Sequence, residues 1–342
     1  MIDVLVVDDS ALVRQTLKEL LERSGEFEVA LAADPFIAER RIAIKRPQVI
    51  VLDIEMPGMD GLTFLTRLMA TDPIPVVICS ARAGEDAAVA IEALARGAID
   101  VLPKPRLAVK DFLSDTSSLL VDTIRAAAAS KRSPVRIRAP LAPLSDVPKG
   151  VASSWVIALG ASTGGTEALA VVLGGLPRES PGVLVVQHMP EGFTKAFAGR
   201  LNGLSAMQVR EAQDGDHIRQ GEVLLAPGNR HLSAARDGSR FVVRLDQAPP
   251  VNRHRPSVDV LFRSVADTFG SRSVGALLTG MGKDGAAGLL EMKLRGAQTI
   301  AQDEGTSVVF GMPKEAIALG GASRVLPLQG IAQGLLDLLP RA

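Results

Sequence analysis

The chain has 342 residues, enough for two domains that each bury a core of their own. Lys plus Arg (38) balance Asp plus Glu (38), so no global positive field draws it to nucleic acid or to an anionic membrane surface. A single cysteine, Cys79 in the apolar run PVVICS, excludes an intramolecular disulfide and reads as a buried strand residue rather than a reactive thiol.

The opening MIDVLVVDD lacks the basic-then-apolar pattern of a signal peptide, and no uncharged run reaches membrane-spanning length. A soluble cytoplasmic protein with no membrane insertion is expected. Short apolar strands then alternate with amphipathic helices: IDVLVVD, ALVRQTLKELLERSG, FEVALAA, a helix over 36–46, QVIVLDI, a helix after Gly61, PVVICS, DAAVAIEALARG, AIDVLPK and a helix over 111–129. This (βα)5 pattern predicts an open, doubly wound parallel sheet. Residues 131–150, KRSPVRIRAPLAPLSDVPKG, carry prolines and basic side chains without periodicity and read as a semi-extended linker.

The alternation restarts with SWVIALG, a helix, GVLVVQH, a helix beginning near Phe193, and MQVREA. GEVLLAPG, RHLSAARDGSR and FVVRLD read as paired strands with glycine turns, an antiparallel β-hairpin region at the edge of a mostly parallel sheet. The helix SVDVLFRSVADTFG, the strand SVGALLTG, the helix AAGLLEMKLRG, the strand AQTIAQ and a closing helix over 331–339 complete a second doubly wound α/β domain. The expected division is a first domain over 1–122, a helix end and Pro-rich linker over 123–150, and a second domain over 151–342.

In the first domain Asp8 and Asp9 close the first strand, Asp53 the third, Ser80 the fourth and Lys104 the fifth. The carboxyl ends of strands in an open sheet lie side by side where strand order reverses, so these side chains converge. Clustered carboxylates repel one another and suit a hard divalent cation. Mg²⁺, which keeps several waters and takes one or two carboxylates with phosphate oxygens, fits. A carboxylate is also a nucleophile towards phosphorus, with Lys104 and the Ser80 hydroxyl stabilising the transferred group. Asp53 alone would read as a turn residue; the whole set at strand ends outweighs that reading.

The stretches VVDDS, LDIEMPGMDG, CSA and LPKP resemble the receiver domain of two-component response regulators, a flavodoxin-like fold. The resemblance implies phosphorylation of Asp53 by a histidine kinase, with Mg²⁺ served by Asp8, Asp9, Asp53 and the Glu55 carbonyl and the phosphoryl group stabilised by Ser80 and Lys104. Three residues before Lys104 the chain carries Val101 where many receivers have a rotating aromatic, a departure that bears on the aromatic form of the switch.

In the second domain VIALGASTGGTEALAVVL, residues 156–173, reads as strand, tight turn and helix, with Ser162 among glycines. Gly160 and Gly164 would permit a sharp turn and close approach of a substrate. Of the four histidines, His188 ends the next strand after one crossover helix, which puts it beside the Ser162 turn. His217, His231 and His254 occupy polar loops and read as surface residues, and Arg253, His254 and Arg255 as a solvated charged loop. Asp284, in LLTGMGKDGAAGLL, would by itself be a helix cap. With Ser162 and His188 it becomes the third member of an acyl-transfer arrangement, in which His188 takes the serine proton and Asp284 holds the imidazole.

A dinucleotide fingerprint is disfavoured, because the third place of G-x-G-x-x-G falls on Ser162 and no acidic residue ends the next strand. Gly160, Ser162 and Gly164 match the G-x-S-x-G elbow of α/β-hydrolases, yet those enzymes run Ser, acid, His, whereas the order here is Ser, His, Asp. The same chemistry on another topology is expected.

The segments ALGASTGGTEAL, VVQHMPEGFTKAFAGRLN, RPSVDVLFRSVA, LLTGMGKDGAAGLL and TIAQDEGTSVVFGMPKEAI resemble the catalytic domain of the chemotaxis response-regulator methylesterases. Members of that family are protein-glutamate methylesterases and protein-glutamine glutaminases. The resemblance places the triad on Ser162, His188 and Asp284. It implies hydrolysis of glutamate methyl esters on methyl-accepting chemoreceptors with release of methanol, deamidation of receptor glutamines, and no cofactor for the ester chemistry. The backbone N–H groups of Thr163 and Met281 are candidate oxyanion donors. A kinase-dependent domain joined to an esterase leads to the expectation that the unphosphorylated receiver covers the Ser162 cleft and that phosphorylation of Asp53 relieves this. A receiver joined to a non-enzymatic, receptor-binding adaptor is the alternative. A DNA-binding response regulator is disfavoured, since the second domain has no basic helix-turn-helix.

Overall fold

A computed structural model describes residues 1–80, 85–105, 112–130 and 154–340. The expected linker over 131–150 lies outside the described residues. The chain divides into two units, Met1–Arg136 and Ile137–Ala342.

The first unit alternates strictly: β1 (Ile2–Val7), α1 (Ala11–Glu22), β2 (Phe27–Ala32), α2 (Pro35–Ile44), β3 (Val49–Leu52), α3 (Gly61–Thr71), β4 (Val76–Ser80), α4 (Glu85–Ala95), β5 (Asp100–Pro103) and α5 (Phe112–Ala129). Its five parallel strands are ordered β2-β1-β3-β4-β5, so the order reverses between β1 and β3. β3, β4 and β5 are buried at every residue because helices cover both faces of the sheet. Helix starts follow the sequence punctuation: Ser10, Asp34 and Asp60 accept from the amides of Val13, Ile37 and Thr63 at 3.4, 2.7 and 2.8 Å. Cys79 is buried in β4, and burial pushes its thiol pKa up.

The second unit contains β6 (Val156–Ala161), α6 (Gly165–Gly175), β7 (Gly182–Gln187), α7 (Thr194–Leu204), β8 (Gln208–Glu211), β9 (Glu222–Leu225), β10 (His231–Asp237) and β11 (Arg240–Asp246). It continues with α8 (Val258–Phe269), β12 (Ser273–Leu277), α9 (Ala286–Leu294), β13 (Gln298–Gln302), α10 (Met312–Ala318), β14 (Arg324–Leu326) and α11 (Leu328–Asp337). Seven strands form a sheet in the order β14-β13-β12-β6-β7-β9-β8, with every pairing parallel. β6 is central and wholly buried. From β6 the chain moves out through β7 on one side and later returns to β12 on the other, which opens a crevice at the carboxyl end of β6.

The antiparallel region is smaller than expected. Among the described strands, β10 and β11 pair that way, as a separate two-stranded sheet, whereas GEVLL enters the parallel sheet between β7 and β8. The reason is its burial: Val223, Leu224 and Leu225 are all covered, as an interior strand requires, while β10 and β11 expose their turn ends. α10 and β14 escaped the sequence reading because one is a seven-residue helix and the other a largely exposed three-residue strand. The closing helix begins at Leu328 rather than 331. α8 buries Val258, Leu261, Phe262, Val265, Ala266 and Phe269, a stripe at helical spacing that packs on β10 and α9. Each large side chain in such a stripe contributes about 1.5–3 kcal/mol.

Candidate active site and phosphoacceptor pocket

The register of the second sheet sets the site. Ala161 pairs with Gln187 and Gly160 with Leu277, so Ser162 and His188 are the next residues out on neighbouring strands. The His188 amide donates to the Ala161 carbonyl (3.1 Å), and the Ser162 amide to the Thr279 carbonyl (3.0 Å). The glycines around Ser162 differ in purpose. Gly164 has φ of 77°, a left-handed turn conformation, and a Cβ there would lie 2.5 Å from Val308. Gly160 lies within the strand, and a Cβ on it would collide with Val258 Cγ1; it is there to let α8 approach, not to make the turn.

His188 Nε2 lies 2.8 Å from Asp284 Oδ2, with both side chains buried. Asp284 also accepts from Asn252 Nδ2 (2.8 Å), from Ser257 Oγ (2.7 Å) and from the Val258 amide (2.7 Å). It does not cap its own helix: α9 has Gly285 at its N-cap and no side-chain cap. It caps α8 instead, and Asp259 of α8 returns the favour by accepting from the Gly288 amide of α9 at 2.7 Å. Burial alone would raise the Asp284 pKa. The hydrogen bond from His188, together with those from Asn252 and Ser257, overcomes that and holds the carboxyl well below the usual carboxylate range. An ionised Asp284 can only accept, so the proton between the two residues sits on His188 Nε2. His188 Nδ1 is left with its lone pair, buried and without a hydrogen-bond partner. The structure thus joins His188 to Asp284 and leaves the bond from Ser162 to His188 unmade, as is common in free enzymes. Among the described residues, neither the Thr163 nor the Met281 amide donates to a protein acceptor.

In the first unit the carboxylate oxygens of Asp8, Asp9 and Asp53 lie within 4.8 Å of one another. Lys104 Nζ reaches Asp53 Oδ2 at 2.6 Å and Asp8 Oδ2 at 3.2 Å. The second contact is close enough for attraction but not aligned as a hydrogen bond, which leaves Asp8 Oδ2 a buried oxygen without a hydrogen-bond partner. Burial raises the Asp53 pKa against the Lys104 hydrogen bond, and the charge of Asp8 adds to the rise. Burial would lower the Lys104 pKa, but its hydrogen bond to Asp53 and the attraction of both carboxylates leave it raised. The donor set, all carboxylate oxygen with one oxygen unsatisfied, fits a hard divalent cation. Ser80, at the end of β4, and Val101, in β5, are both buried.

The CheB methylesterase family model matches residues 157–335, and the response regulator receiver domain model matches residues 4–111. The chain is 50% identical to "Protein-glutamate methylesterase/protein-glutamine glutaminase 2" of Xanthomonas campestris pv. campestris, over 98% of this chain and 100% of that one. The chain belongs to the CheB family. A second CheB-type relative, "Protein-glutamate methylesterase/protein-glutamine glutaminase 1" of Anaeromyxobacter dehalogenans, is 53% identical over 97% of this chain and 98% of its own. The crystal structure of the Thermotoga maritima CheB methylesterase catalytic domain superposes with a TM-score of 0.54 at 40% identity, covering 55% of this chain and 100% of that one.

Several side chains around this CheB-family site were misread or missed from sequence. His254 is not a surface residue: its ring stacks on His188. His231 is buried, donating from Nε2 to the Pro249 carbonyl and accepting at Nδ1 from the Ser257 amide, both at 3.2 Å. His217 is half-exposed, bridged to Val242. Arg255 is not loose in solvent, since it donates to Asn229 Oδ1 at 2.7 Å and to the carbonyls of Gln247 and Ala248. Asn252 and Ser257, both donors to Asp284, carried no signal beyond the polar composition of their loop. Gln187 is buried beside His188 and donates to the Ser162 carbonyl at 2.8 Å. No helix among the described residues is long and apolar enough to cross a membrane.

Proposed function

We propose that Ser162, His188 and Asp284 form the catalytic triad through which this chain acts as a protein-glutamate methylesterase and protein-glutamine glutaminase. The observation that carries the reading is the buried hydrogen bond between His188 and Asp284, set on segments that flank the strand leading into Ser162. The Ser162 hydroxyl attacks the side-chain carbonyl carbon of a methylated glutamate, and its proton passes to His188 Nδ1. Asp284, on the opposite ring nitrogen, stabilises the imidazolium. The Thr163 and Met281 amides donate to the oxyanion, each worth about 3 kcal/mol. The bond from the carbonyl carbon to the methoxy oxygen then breaks, and His188 returns the proton to the departing methanol. Water deprotonated by His188 cleaves the acyl-serine, which releases the glutamate carboxylate and restores Ser162. A glutamine side chain follows the same path with ammonia leaving.

The substrates are methyl-accepting chemoreceptors, the phosphodonor is a chemotaxis histidine kinase, and the setting is the cytoplasm. Asp53 takes the phosphoryl group, Lys104 and Ser80 stabilise it, and phosphorylation relieves inhibition of the esterase. Mg²⁺, when held by Asp8, Asp9, Asp53 and the Glu55 carbonyl, supplies positive charge for the phosphoryl oxygens. The unsatisfied Asp8 oxygen supports this assignment.

The test is methanol release from labelled receptor by the intact chain, with and without a small-molecule phosphodonor. Faster release with the donor is expected for the parent, unchanged basal release for Asp53→Asn, and none for Ser162→Ala. Hydrolysis retained by Ser162→Ala overturns the triad.

A further inference from the structure

The imidazole of His188 is covered by a second imidazole. The His254 ring lies nearly parallel to it, with 9° between the planes and 3.7 Å between centroids. His254 arrives there on a two-residue hairpin. The Val251 and His254 backbones exchange hydrogen bonds of 3.1 and 2.9 Å across Asn252 and Arg253. Those two residues have φ of 51° and 68°, a left-handed pair that such turns usually fill with glycine or asparagine. The strained turn serves both partners of His188's own pair: Asn252 Nδ2 bridges Asp284 Oδ1 and Asp259 Oδ2 at 2.8 Å each, while His254 faces the ring of His188.

The hydrogen bond to Asp284 holds one nitrogen of His188, and the ring can still tilt about that contact. A flat group on its face removes the tilt. We propose that His254 is a positioning residue, whose ring, stacked on His188, holds the imidazole plane so that Nδ1 is presented to Ser162 through both proton transfers. The proposal rests on the triad reading above. A ring in this place has to be uncharged, because His188 becomes a cation on taking the serine proton and two cations at stacking distance repel. Burial first, then the facing His188 and the adjacent Arg253, push the His254 pKa down to about 3 against the pull of Asp284. His254 is therefore neutral at ordinary pH, and a neutral aromatic face favours a neighbouring cation.

The experiment compares His254→Ala, His254→Phe and His254→Arg with the parent and Ser162→Ala in receptor methyl-ester hydrolysis by the intact, phosphodonor-treated chain, with a thermal melt for each. Ser162→Ala reports on the triad alone; activity retained there removes the triad and this proposal together. With Ser162→Ala inactive, His254→Ala is expected to lower kcat about tenfold or more with KM nearly unchanged. His254→Phe, which keeps a flat neutral ring, should stay within about threefold of the parent, and His254→Arg should fall at least as far as alanine. An unchanged kcat in His254→Ala, or a His254→Phe no better than His254→Ala, overturns the positioning role. Should His254→Ala not fold, the Phe and Arg variants decide: equal kcat overturns it, and a Phe variant near the parent with a slow Arg variant supports it.

Discussion

Asp284 receives the His188 Nε2 hydrogen bond at 2.8 Å and, on the same carboxylate, the Val258 amide at the start of α8 at 2.7 Å. The acid of the proposed triad is thus also the N-terminal cap of a helix whose apolar face builds the core. The proposed catalysis and the folding depend on one side chain, and each can be measured separately.

Asp284→Asn keeps the shape but loses the charge. Activity should fall about 10³–10⁴-fold, since a neutral amide neither fixes the imidazole tautomer nor stabilises its cation. The folded-state pKa of Asp284 is depressed, so its stabilisation is complete above the unfolded value of about 3.9 and is lost as pH falls from there towards the folded value. The stability gap between parent and variant should be widest near neutrality and narrow below about pH 4. Urea unfolding at several pH values measures it, and a gap that widens on acidification contradicts the assignment.

Asn252→Asp replaces a donor that bridges two carboxylates with a third carboxylate. The buried repulsion should cost about 3 kcal/mol or more at neutral pH. Asn252→Gly loses the same donor but suits the left-handed backbone, so its melting temperature should drop less than that of the aspartate variant.

Gly160→Ala drives a methyl into Val258, the residue whose amide binds Asp284. A loss of about 1–3 kcal/mol is expected from overpacking, together with reduced turnover. Val258→Ala makes room, so the double variant should be more stable than the sum of the two single effects predicts. Strict additivity in denaturant unfolding would show that the contact does not govern this position.

If the folded carboxylate cluster holds Mg²⁺ as proposed and the unfolded chain does not, the ion should raise the unfolding transition of the receiver in the intact chain. At a hundredfold excess over its dissociation constant the gain is about 2.7 kcal/mol. Asp8→Asn should lose most of that response in calorimetry while the transition of the second unit stays put. A receiver transition indifferent to Mg²⁺ in the parent would remove the metal from this account.

Much of this protein was legible in its sequence. Apolar runs of four to six residues and helical periodicity in stretches such as 258–269 are consequences of local chain geometry, and they predicted two doubly wound sheets. Placing Asp8, Asp53, Lys104, Ser162 and His188 at strand ends followed from the same rule. The pairing of His188 with Asp284 spans 96 residues, and Asn252 and Ser257 reach Asp284 across 32 and 27. Such contacts leave no periodic trace, so the loop carrying His254 reads only as polar and basic. Tertiary packing alone decided that this loop folds over the imidazole, that the Val223 strand sits inside the sheet, and which ring nitrogen of His188 stays without a hydrogen-bond partner. Local propensity acts within a few residues, whereas these choices depend on which surfaces meet once the sheet has closed.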